Sequence, residues 1–159
     1  KGSAIAARDY VMVRGSYLIG CRVSELCRLR WQDIERLDNG GQIHLLGKGN
    51  KPRTIRVSVA TLELFESLGR GEPEDWLFPS NRREGPMTRQ AIAARMARWG
   101  KEAGVRLYPH RCRHTHATNA VRAGTSLFVL QATLGHSSSA TTGHYVAANP
   151  EDSSSLRLG

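Results

Sequence analysis

The sequence predicts a mainly α fold with one small antiparallel β-sheet. Apolar residues recur at helical spacing over most of the chain, and strict alternation is confined to one region around residues 41–59. The length of 159 residues matches about one domain, and 40% hydrophobic residues are enough to build its core. A single unit over 1–159 without internal repeats is therefore expected.

Taken in chain order, Ile5, Val11, Val13, Leu18 and Ile19 lie in a proline-free stretch that Gly20 can end, which predicts a helix over 5–19. Ser24 and Glu25 restart a short helix with Leu26 and Leu29 on one face, leaving Arg22 in the turn between two helices. GQIHLLGKGNKPRTIRVSV reads as a β-hairpin. Ile43 and Leu45 alternate before the turn from Gly47 to Pro52, Ile55, Val57 and Val59 alternate after it, and Lys48 sits at the turn. Leu62, Phe65 and Leu68 form a helical face that Gly69 and Gly71 terminate, followed by a polar loop carrying Pro73, Pro79, Gly85 and Pro86.

Thr88 is a suitable N-cap for the next helix, in which Ile92, Met96, Trp99 and Ala103 make an apolar stripe opposite a cationic face of Arg95, Arg98 and Lys101. After Pro109 three further helical stretches are separated by Gly124 and Gly135, the last carrying Thr141 and Tyr145 one turn apart. The tail, residues 150–159, is polar and reads as loose or as a segment that docks on a partner through Leu156 and Leu158.

A formal charge of +9 makes a polyanion the expected partner, because each phosphate neutralised by Lys or Arg releases condensed counterions. A generally basic surface would carry the same charge, so charge alone leaves both readings open. Cys21, Cys27 and Cys112 are odd in number and lack CxxC spacing, which predicts buried thiols in a reducing compartment. No segment approaches the ~20 apolar residues of a membrane span, and the chain reads as cytoplasmic.

Chemistry concentrates in a few motifs. Tyr145 follows His136 by nine residues in LGHSSSATTGHYV; His110 and Arg113 share PHRCRHTHAT; Arg22 lies in GCRVSEL and Lys48 in GKGNKPR. Each has an ordinary structural reading: a helix tyrosine with its hydroxyl in water, solvated arginines, a turn lysine. Together they supply a phosphodiester-cleaving set. A phenol with a pKa near 10 needs neighbouring cations or a base to act as a nucleophile. Two guanidinium groups can hold both non-bridging oxygens of a phosphate as charge builds there, and an ammonium can protonate a leaving oxygen. His110 and His114, one helical turn apart, raise the possibility of a metal. Arg111 replaces the glutamate of an HExxH pattern, however, and the interleaved arginines disfavour a dication, so neither metal nor cofactor is expected.

GCRVSELCRLRW, LLGKGNKPRTIRV, LFPSN followed by MTRQAI, PHRCRHTHAT and LGHSSSATTGHYV, taken together, resemble the tyrosine recombinase (phage integrase) family over nearly the whole chain. The resemblance implies the family's catalytic-domain fold and a site-specific DNA strand-transferase that works without metal or ATP. Tyr145 would be the nucleophile, forming a 3'-phosphotyrosyl link. Arg22, Arg113 and His136 would stabilise the pentacoordinate phosphate, His110 would assist proton transfer, Lys48 would protonate the 5'-oxygen, and Glu25 would orient the site. Thr88, Arg89 and Gln90 match the family's DNA-contacting segment, at a helix start able to address phosphates or base edges.

The implied partners are double-stranded DNA, a tetramer of the chain on paired sites and accessory DNA-bending proteins, with nucleoid association when bound. A topoisomerase IB-like relaxing activity and a DNA-binding module without autonomous cleavage are the alternatives. Cys112 stands where leucine is usual, and Gly143 and His144 precede Tyr145 where bulkier residues are common. The chain begins where the family's N-terminal core-binding domain would already have ended, so a catalytic fragment or a reduced protein is expected.

Overall fold

The computed structural model describes residues 2–135 and 153–158. The described residues form six helices beside a small sheet: α1 (Gly2–Ile19), α2 (Val23–Leu26), α3 (Val59–Glu66), α4 (Arg89–Glu102), α5 (Pro109–Arg122) and α6 (Leu127–Leu134). The sheet is an antiparallel meander of β1 (Ile34–Leu37), β2 (Gly40–Leu46) and β3 (Pro52–Val57), in that spatial order. The mainly α class with a small antiparallel sheet is the architecture expected from the sequence.

The sheet has one strand more than the predicted hairpin. Only Ile34 of β1 is fully buried while Glu35 and Arg36 face solvent, so the strand offers too little alternation to be recognised alone. Its partner identifies it, through pairing of Ile34 with Ile43. On β2 and β3, Ile43 lies opposite Ile55, Gly41 opposite Val57 and Leu45 opposite Arg53. This places Arg53 on the same inward face as Ile55 and Val57, because side chains of a strand alternate between faces. Val59 does not extend β3. Ser58 accepts a hydrogen bond from the Thr61 amide and caps α3 instead.

One core joins Met12 and Ile19 of α1, Leu26 and Leu29, the inner sheet residues, Leu62 and Phe65 of α3, and Ile92 and Met96 of α4. Cys21, Cys27 and Cys112 are buried free thiols, as the sequence predicts. Burial, the largest effect on Cys21, pushes its pKa up to about 12. A second, smaller cluster of Ala120, Leu130 and Leu134 lies between α5 and α6, with Leu158 packed against it.

Two expectations change. The apolar stripe of α4 stops short of Ala103, which is exposed, and the opposite face is not simply an open cationic surface. Arg95 donates to the fully buried Asp9 of α1 at 2.9 Å, and the Trp99 indole donates to the same carboxylate oxygen at 3.0 Å. A buried carboxylate in α1 demands such partners, and α4 supplies them. The described end of the tail is also seated rather than loose: Ser153, Ser154 and Ser155 are buried, with Ser154–Arg157 in a 3-10 turn. Among the described residues, no helix is long and apolar enough to cross a membrane.

Candidate active site

Gly20 ends α1 in a left-handed conformation, with φ of +60°. A Cβ there would come within 2.7 Å of the His116 ring on α5, so a side chain would force the two elements apart. Glycine lets α5 approach closely, and Arg113 of α5 donates to the Gly20 carbonyl at 2.7 Å. Two residues later Arg22 occupies the N-cap position of α2, and its backbone amide donates to Glu25 at 2.6 Å. This local bond satisfies an amide at the helix start and anchors the carboxylate that the cluster is built around.

Glu25 is a buried carboxylate shared by two arginines. Arg53, reaching inward from β3, donates from both terminal nitrogens, at 2.6 Å to one oxygen and 2.9 Å to the other. The Arg22 guanidinium adds one contact at 3.2 Å. Burial pushes the Glu25 carboxyl upward, but the Arg53 fork, the Arg22 amide and the charge of Arg53 outweigh it, and its pKa lies below the ordinary value.

All three arginines also bind the carbonyl end of α6. Arg53 Nε donates to Thr133 O at 2.8 Å, Arg113 to Leu134 O at 2.8 Å and Arg22 to Gly135 O at 2.9 Å. The last carbonyls of a helix have no partners within it and carry the negative end of its dipole, so cations are favoured there. Gly135 closes the helix with φ of +63°, and a Cβ at this position would lie 3.0 Å from Arg53 Nη1.

Three guanidinium groups around one carboxylate leave a net positive site. Burial lowers the Arg113 pKa to about 10, aided by the charges of Arg22 and Arg53. Arg113 therefore remains a cation at neutral pH, partly deprived of counter-charge. Arg22 keeps a third of its side chain exposed while Glu25 keeps almost none, so Arg22 is the member of this pair that a ligand can reach from solvent. Such an arrangement suits an anion with several oxygens.

The structure thus brings Arg22 and Glu25 of one segment together with Arg113 of another, and adds from a third segment Arg53, which the motif reading passed over. A signal for Arg53 was present in the strand parity: it shares the alternation of Ile55 and Val57, so an arginine was assigned to an inward position. His110 lies on the first turn of α5 with its side chain exposed. Lys48 begins a 3-10 turn, Lys48–Asn50, between β2 and β3; its side chain falls outside the description. His136 and Tyr145 lie outside the described residues. Thr88 caps α4 by accepting from the Ala91 amide at 3.1 Å, and Arg89 and Gln90 are exposed.

The histidines of α5 do not converge. His110 and His114 are exposed, whereas His116 is buried between the Tyr17 carbonyl at 2.8 Å and the Ser154 hydroxyl at 2.7 Å. No group of three or more His, Cys, Asp or Glu able to hold a metal occurs among the described residues.

The tyrosine recombinase XerC of Haemophilus ducreyi is 35% identical over 144 residues, covering 87% of this chain and 47% of that protein. XerD of Pseudomonas putida is 38% identical over 154 residues, covering 91% of this chain and 51% of the relative. The chain spans about half the length of these relatives. Among solved structures, the XerA recombinase aligns with a TM-score of 0.71 at 29% identity, over 86% of this chain and 51% of that one. XerH bound to a palindromic difH substrate in a post-cleavage complex aligns with a TM-score of 0.72 at 25% identity, over 85% of this chain and 40% of that one. The integrase of mycobacterium phage Brujita shares the fold, with a TM-score of 0.77 at 22% identity over 96% of this chain and 52% of that one. The model of the phage integrase family matches residues 1–152, nearly the whole sequence and every segment of the arginine cluster, and the chain belongs to that family.

Proposed function

We propose that the chain is the catalytic part of a site-specific DNA recombinase, cleaving and rejoining strands through a 3'-phosphotyrosyl intermediate. The observation that carries this reading is the net positive cluster of Arg22, Arg53 and Arg113 around Glu25, attached to the turn that immediately precedes His136. Arg22 and Arg113 bind the non-bridging oxygens of the scissile phosphate, and His136 adds a third donor. The Tyr145 oxygen attacks phosphorus, its proton passing toward His110. The bond to the 5'-oxygen breaks, and Lys48 supplies the proton that oxygen needs to leave as a hydroxyl. Glu25 orients the arginines. Attack by a 5'-hydroxyl of another strand reverses these steps, so neither metal nor ATP enters the balance.

The substrate in this reading is double-stranded DNA, as the net charge and the relative solved on its DNA substrate support. Thr88, Arg89 and Gln90 contact it from the exposed start of α4. A tetramer on paired sites and accessory bending proteins complete the assembly, on nucleoid DNA. Exchanging Arg89 and Gln90 for alanine should weaken binding and relax site preference; unchanged affinity and preference would remove them from the interface.

Incubation with a nicked suicide duplex tests the reaction. A covalent protein–DNA adduct is expected from the unsubstituted chain and none from Tyr145→Phe, while an adduct that persists in Tyr145→Phe excludes this tyrosine. Relaxation of supercoiled plasmid without site preference would instead indicate a topoisomerase-like activity.

A further inference from the structure

We infer that Arg53 is a positioning residue of this active site, acting through Glu25 and the end of α6 without touching the phosphate; the inference rests on the reaction proposed above. Only 11% of its side chain is exposed, and three guanidinium nitrogens are already engaged with protein: two with Glu25 and one with Thr133 O. What remains is a group poorly placed to meet a substrate and well placed to hold the residues that do.

Its first effect is on Arg22. The Glu25 carboxylate is almost completely buried and so requires close cationic partners. By taking one contact on each oxygen, Arg53 satisfies the carboxylate in fork geometry, so Arg22 gives it only one guanidinium contact at 3.2 Å. Without Arg53, Arg22 would be the only cation among the described residues still bonded to that carboxylate and would be drawn toward it, away from an entering phosphate. The second effect is on α6. The bond to Thr133 O fixes the last helical turn, whose next two carbonyls receive Arg113 and Arg22. The approach of Arg53 is tight enough that a Cβ on Gly135 would crowd it at 3.0 Å. One side chain thereby couples the β3 strand to both phosphate-binding arginines and to the turn before His136. Lysine, with a single nitrogen, cannot make the fork and the Thr133 bond together.

Single-turnover cleavage of the suicide duplex at saturating DNA tests this, with duplex affinity and thermal midpoint measured alongside. Arg53→Met should slow adduct formation by about 10- to 100-fold, the scale on which a misplacement of about 1 Å slows an oriented reaction, with duplex affinity retained. Arg53→Lys should remain slow. Adding Glu25→Gln to Arg53→Met removes the unsatisfied charge and should recover part of the rate, a coupling that a double-mutant cycle isolates. If Arg53→Met does not fold, Arg53→Gln takes its place in the same cycle. An unchanged rate in the Arg53 variant, or a second full loss on adding Glu25→Gln, would overturn the inference. Absence of adduct from the unsubstituted chain would instead overturn the proposed reaction, and the inference would fall with it.

Discussion

At the scale of single residues, two buried ionisable groups make the stability of the domain depend on pH in separable ways. His116 is fully buried and held between a carbonyl and a hydroxyl. Burial lowers its pKa below the ordinary 6.5, and Arg113 adds to the effect, against the opposing pull of the Tyr17 carbonyl. A lowered pKa in the folded state means that the unfolded chain takes up the proton first. Stability is therefore fully present above pH ~6.5 and declines as the pH falls toward the folded pKa. Glu25, also lowered, keeps its contribution above pH ~4.5, and that contribution is lost as the pH falls further. Thermal midpoints from about pH 8 to about pH 2 should thus fall in two stages, the first missing in His116→Gln and the second in Glu25→Gln. A first stage of equal size in His116→Gln would show that another group is titrating. Neither behaviour could be predicted from residue type alone: three histidines lie within seven residues of PHRCRHTHAT, and only helix packing decides that His116 points inward.

At the scale of elements, the C-terminal turn of α6 carries the most consequence. Gly135→Ala places a Cβ in a left-handed residue and against the Arg53 guanidinium. A cost of about 1–2 kcal/mol is expected from the backbone conformation alone, measurable by urea denaturation. Cleavage should fall further than stability, because the Arg53 displacement is transmitted to Glu25. A variant with normal stability and normal cleavage would mean that this turn does not organise the site. Gly135 was legible in the sequence as a helix stop, and so were Gly20, the cap at Thr88 and the alternating strands, since each is a local signal. β1 was not, because its residues alternate too little to be recognised without β2. The role of Arg95 was misplaced for a related reason: its partner Asp9 lies 86 residues away, and pairing across that separation leaves no local pattern.

At the scale of the whole molecule, the motifs named three members of the arginine–carboxylate cluster, and the fold explains their connection. Arg22 and Glu25 were found from the sequence in one motif and Arg113 in another, and the structure adds that one buried carboxylate and one helix end tie them together. Arg53 escaped because it is the last residue of the turn motif GKGNKPR, and strand parity had to be carried one residue past the turn to place it inside. The net charge of +9 belongs to this scale as well. Duplex affinity should fall steeply with ionic strength, by roughly a thousandfold from about 50 to about 200 mM salt for about six phosphate contacts. A titration showing nearly salt-independent affinity would rule out a phosphate-dominated interface. Within that interface, the proposed step is presentation of a DNA phosphate to Tyr145 by the arginine cluster. It is tested most directly by digesting the trapped adduct with protease and nuclease and identifying the modified peptide by mass. The expected product is a nucleotide joined through its 3'-phosphate to Tyr145, with a 5'-hydroxyl on the released strand. A nucleotide on any other residue, or one joined through a 5'-phosphate, would contradict the account.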